Sequence, residues 1–248
     1  MPSSNPALNA RTFQNLIVAR EAGATSMTLE GTAAKAGALA LALCLSALSI
    51  WILLSVGRAD LVWPLFIVGL LGGMAFAFIT IFKKNWAPVT GPIYAVLEGL
   101  VLGVFSILFE AAYPGIVFEA VVLTMSVLGA MLLCYATGLI KPTQNLKLGI
   151  FAATGGIMVF YLIAMVMGFL GFRVPLIYDT GPFGILFSLF VVVIAALNLV
   201  IDFDFIEQGV NMGAPKYMEW YAAFGLMVTL VWLYLEILRL LSKIQRRD

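Results

Sequence analysis

An all-α integral membrane protein, a seven-transmembrane-helix bundle, is predicted by three features of this chain: seven apolar segments of spanning length, few charges inside them, and short connections. Hydrophobic residues make up 62% of the 248 positions and charged residues 11%, against about 45–50% and about 25% in soluble domains. Mean hydropathy is +1.05. Such a chain cannot cover an aqueous surface, so its solvent is the lipid bilayer. A hydrocarbon core of about 30 Å takes about 20 helical residues. Segments 35–56, 61–82, 91–112, 115–140, 147–171, 182–202 and 219–241 meet that length.

Taken in order, residues 1–32 are polar and of mixed charge, with Arg11, Arg20, Glu21 and Glu30, and read as a flexible cytoplasmic tail. No short apolar run follows a basic start as in a cleaved signal peptide, so the first span reads as an uncleaved signal anchor. Residues 33–248 form one membrane domain. Turn formers and charges separate the spans, as in Gly57-Arg58-Ala59-Asp60, Lys83-Lys84-Asn85 and Lys141-Pro142-Thr143. The third span carries Gly99-Leu-Val-Leu-Gly103, a small-xxx-small pattern that lets two helices pack closely. Trp63, Trp86 and Trp220 fall near span ends and read as interface anchors. No internal repeat is evident, which disfavours an inverted-repeat transporter.

Loop charge sets the expected orientation. With the N-terminus cytoplasmic, the inner side holds Arg11, Arg20, Lys35, Lys83, Lys84, Lys141, Lys147 and Lys216, and the outer loops only Arg58 and Arg173. Arg239, Lys243, Arg246 and Arg247 at the C-terminus run against that bias. The seventh segment therefore either crosses or re-enters.

Composition also excludes function classes. Net charge is +1, with no basic stripe to neutralise phosphates, so no nucleic-acid partner is expected. The chain has no histidine, which removes His-based catalysis, His metal sites and His pH switches. Cys44 and Cys134 lie inside spans and read as packing residues. No phosphate loop, nucleophile elbow or metal-ligand spacing appears, so neither an enzyme nor a bound cofactor is expected.

What remains is carboxylate chemistry inside a membrane. An ionisable group at the centre of a span costs at least about 2.5–3.5 kcal/mol and marks a functional site by default. Glu98 lies seven residues into the third span, about 10 Å below the inner surface. The sixth span ends in Asn198-Leu-Val-Ile-Asp202-Phe-Asp204-Phe-Ile-Glu207. Asp202 shares a helix face with Asn198, whereas Asp204 points about 200° away, with Glu207 and Gln208, towards the loop. Asp202 is thus the inward candidate and Asp204 the solvated one. Glu236 lies about seventeen residues into the seventh span, about 25 Å from its start and near the far interface, with Arg239 at i+3 as a ready ion-pair partner. Glu110 and Glu119 fall at span ends and read as solvated rims. Asp202 and Glu98 return to the same side and could meet.

The seven spans, Tyr94-Ala-Val-Leu-Glu98-Gly99-Leu, the acidic end of span six and Leu233-Tyr234-Leu235-Glu236-Ile237-Leu238 together resemble the Bax inhibitor-1 family. Glu219-Trp220-Tyr221-Ala222-Ala223-Phe224 through Leu241 is similar to its bacterial YccA-like branch, and the similarity spans residues 33–248. The resemblance implies a central seventh helix, a multi-pass protein of the bacterial plasma (inner) membrane, and a pH-sensitive calcium leak. It also implies a latch in which an acidic residue ending span six shares a proton with one in span seven, here Asp202 and Glu236. The position selected by the family's spacing is Leu226, which can hold neither a proton nor a cation. The partner of Asp202 is therefore open between Glu236 and Glu98. The competing expectation is a non-conducting regulator that binds another membrane protein, such as a quality-control protease.

Overall fold

The computed structural model describes residues 26–172, 174 and 179–246. Their secondary structure is helical: α1 (Leu29–Ser55), α2 (Val62–Phe82), α3 (Ala87–Ala112), α4 (Ile116–Ala136), α5 (Gln144–Phe169), α6 (Pro182–Asn211) and α7 (Met218–Gln245). All seven are long and apolar enough to cross a membrane. Short 3-10 turns, Ala59–Leu61 and Lys84–Trp86, lead into α2 and α3. The only pairing of extended residues among those described is an isolated antiparallel bridge between Ser26 and Pro215.

Two boundaries differ most from expectation, each for a local reason. The first helix begins at Leu29 rather than near residue 35, because Thr28 caps it by accepting the Gly31 N–H. Residues 1–25 of the expected polar tail, with Arg11, Arg20 and Glu21, lie outside the described residues. The sixth helix runs on to Asn211, so Asp202, Asp204 and Glu207 lie within it rather than at its end. Hydropathy falls at the first carboxylate, but the backbone ladder continues until Gly213 adopts positive φ (65°). The seventh helix is continuous from Met218 to Gln245. Arg173 and Arg247, counted above for orientation, lie outside the described residues.

The chain divides into two compact units, one of residues 26–112 with 204–228 and one of residues 113–203 with 229–246. In the first unit, α1 lies directly on α3. A Cβ at Gly99 would strike the Leu43 carbonyl oxygen and come within 2.7 Å of Ser46 Cβ, and one at Gly103 would come within 2.7 Å of the Ala47 carbonyl oxygen. The small-xxx-small stripe is thus the α1 contact face. Ser46 Oγ reinforces it by donating to the Val96 carbonyl at 2.6 Å. Thr80 and Thr90 join α2 to α3 at 2.7 Å, and Tyr94 packs edge-on against Phe224 of α7, with ring centroids 4.9 Å apart.

In the second unit, Ile157, Val191 and Ile194 form a core with Ala153, Phe187, Leu197 and Trp232 around it. Asn198 ties α6 to α5 by donating to Thr154 Oγ1 at 2.9 Å. The end of α7 reaches the beginnings of two other helices: Lys243 Nζ donates to the Gly184 carbonyl at 2.9 Å and Gln245 to Glu119 at 3.3 Å. More than half of the most apolar window is buried in both α6 and α7 (56% each), against 17% in α1, α2 and α4. α6 and α7 are thus the most enclosed of the seven helices by this measure. Trp63 and Trp86 are exposed, as interface anchors require.

Candidate functional site

Asp202 is completely buried (0% exposed) in α6, on the face that also carries the buried Asn198. The i,i+4 argument thus places both correctly. Asp204, read as solvated, is half-buried, because the helix continues and Gln208 Nε2 donates to its carboxylate from the next turn at 2.5 Å. Glu207 is the exposed member.

Glu98 is half-buried in α3, within the first unit. Its carboxylate leans on α2, where a Cβ at Gly73 would lie 3.3 Å from Oε2. The absent side chain at Gly73 makes room for a carboxylate at this depth. Asp202 and Glu98 fall in different units.

Glu236 is 2% exposed and fully engaged. Tyr161 donates its hydroxyl between both oxygens at 3.1 Å, Trp232 Nε1 donates at 3.3 Å, and Arg239 NH1 bridges both oxygens at 2.7 and 2.9 Å. Arg239 also donates to Tyr161 Oη at 2.6 Å and lies 5.0 Å from the centroid of that ring. The i,i+3 ion pair foreseen from sequence is therefore present, but it is one edge of a four-residue cluster. Tyr161 and Trp232 enter it without a sequence signal beyond their aromatic character. Asp202 and Glu236 belong to the same unit. Arg239 behaves as a resident cation: its guanidinium, with the side chain 35% exposed, lies at the carboxylate that a mobile cation would need.

A further buried carboxylate, Glu219 in the first turn of α7, is a site residue that reasoning from sequence missed. It is 0% exposed and receives Thr28 N–H and Thr28 Oγ1, each at 2.9 Å, Lys216 at 2.8 Å, and Lys35. Its partners Thr28 and Lys35 are 191 and 184 residues away in sequence, so no local pattern announces it. Glu119 is exposed, as expected of a rim residue. Among the described residues no group of three or more His, Cys, Asp or Glu side chains could hold a metal ion. A cation attracted to Asp202 or Glu98 would have to complete its shell from backbone carbonyls, amides or water.

Seven helices of spanning length, with a half-buried carboxylate in the third and buried ones in the sixth and seventh, define a polytopic membrane protein. The family model described as Bax inhibitor 1 like matches residues 5–246, and the chain belongs to that family. The match begins well ahead of residue 33, so kinship extends into the polar N-terminal region. No curated protein and no solved structure matches the chain significantly.

Proposed function

We propose that the protein is a pH-sensitive cation leak, with calcium as the transported ion and Asp202 as the proton-sensitive group. The single observation that carries this reading is the complete burial of Asp202 in a spanning helix, beside a buried amide at Asn198. A carboxylate is kept at such a depth at a substantial cost, and family membership supplies the context in which that cost has a purpose. Glu98 is the second candidate on the path, since it is half-buried and has room made for it by Gly73. Glu236 is assigned instead to the architecture of α7, because Arg239 already occupies it.

The proposed mechanism gives Asp202 a second carboxylate with which to share a proton, since two carboxylates brought together in a low-dielectric site do not both ionise readily. In this mechanism the shared proton keeps the helices together. Its loss towards neutral pH leaves charges that repel, and the exposed oxygens then solvate a hard cation. On this proposal the N-terminus and the connections carrying Lys83, Lys84, Lys141 and Lys147 are cytoplasmic, a reading supported by the excess of basic residues there, and the membrane is a bacterial inner membrane. The reading requires no catalytic residue. Purified protein reconstituted into liposomes tests it: Asp202→Asn abolishes the pH dependence of calcium influx, and Glu98→Gln does so only if Glu98 shares the proton. A wild type that conducts at no pH refutes the leak and leaves the regulator reading, to be pursued with a membrane protease as partner.

A further inference from the structure

The start of α1 and the start of α7 are joined in a way that exceeds ordinary helix packing. Met27, just ahead of α1, is 1% exposed, and its N–H donates to the Ala214 carbonyl at 2.7 Å. Ser26 bridges to Pro215. Thr28 then does two things at once. Its hydroxyl oxygen accepts the Gly31 N–H as the cap of α1, and its own N–H and O–H donate to Glu219 of α7. Lys35, about two turns further along, reaches the same carboxylate and lies 5.7 Å from the Trp220 ring. Lys216 closes it from the α7 side. Gly31 completes the geometry, because a Cβ there would overlap the Glu219 carboxylate, lying 2.6 Å from Oε2.

We infer that residues 26–35 are a strap fastened to the first turn of α7, with the Glu219 carboxylate as its anchor and Gly31 as the residue that lets it close. Four donors from two distant segments converge on one enclosed anion. A carboxylate in the first turn of a helix also meets that helix's unpaired N–H groups and dipole. Removing the anion leaves two lysines and the Thr28 donors without their acceptor, so the strap opens as a unit rather than bond by bond. The inference is independent of ion conduction, because its readout is accessibility.

The experiment uses the full-length chain in detergent, with Cys44→Ala and Cys134→Ala, and a maleimide as the probe. Met27→Cys reports the closed strap and Leu29→Cys, at a position 54% exposed, reports free reactivity. With Glu219 intact, Met27→Cys reacts slowly and Leu29→Cys quickly. Adding Glu219→Gln accelerates labelling at residue 27 by about ten-fold or more, as expected when local opening is governed by the contacts removed, and leaves residue 29 unchanged. Gly31→Ala reproduces the acceleration, whereas Gly37→Ala, with nothing within 4 Å of its added methyl, does not. Should Glu219→Gln fail to fold, the Gly31 and Gly37 pair decides alone. Fast labelling at residue 27 with Glu219 intact overturns the inference. So does equal labelling in the Gly31→Ala and Gly37→Ala proteins.

Discussion

Replacing Arg239 by Gln strands the Glu236 carboxylate at 2% exposure with only Tyr161 and Trp232 as donors. Breaking a buried ion pair by removing one partner costs about 3–5 kcal/mol. Here the arginine side chain is 35% exposed, so solvent screening reduces that loss to about 2–3 kcal/mol. The reverse change, Glu236→Gln, is milder. The amide oxygen still accepts from Tyr161 and Trp232 while the guanidinium turns towards solvent, a loss of about 1 kcal/mol. At roughly 2–4 °C per kcal/mol for a chain of this size, thermal unfolding in detergent should fall by roughly 5–10 °C for Arg239→Gln and by a few degrees for Glu236→Gln. The double variant should unfold above Arg239→Gln, because no charge is left stranded. A Glu236→Gln protein as unstable as Arg239→Gln, or a double variant showing the sum of both losses, refutes the resident-cation reading.

Three further outcomes follow from the geometry. Gly99→Ala forces α1 away from α3 at the Leu43 carbonyl and should cost about 1–3 kcal/mol by overpacking, read as a lower thermal midpoint. Gly129→Ala, which meets nothing within 4 Å, should leave the midpoint unchanged or raise it. In intact cells, cysteines at the exposed positions Ala59 and Arg246 should react together with an impermeant thiol reagent while one at Asn85 is protected, since α7 is unbroken; labelling of Asn85 alone inverts the topology. Leu226→Ala, at a position 9% exposed, should lower stability by about 2–5 kcal/mol without changing the pH profile of influx, because Leu226 has no proton to exchange.

Much of this architecture is legible because a bilayer makes hydropathy and helix length the same signal. The seven spans, the Gly99–Gly103 contact face, the separation of Asp202 from Asp204 and the Glu236–Arg239 pair all depend on local spacing. The end of α6 was misplaced for a related reason: charge ended the apolar run at Asp202, although nothing in Phe203–Asn211 breaks a helix. Glu219 was out of reach on different grounds. Its partners come from the other end of the chain, and its sequence context, the start of a span, describes a solvated rim equally well. Tyr161 likewise lies in the middle of an apolar run, where only the packing of α5 against α7 gives its hydroxyl a purpose.

The most direct measurement is calcium influx into liposomes holding the purified wild-type protein and, in parallel, Asp202→Asn, followed from acid to neutral pH. Wild-type influx should rise as the shared proton is lost, and the Asp202→Asn profile should be flat. A wild type that admits no calcium at any pH contradicts the leak, and two superimposable pH profiles contradict Asp202 as its sensor.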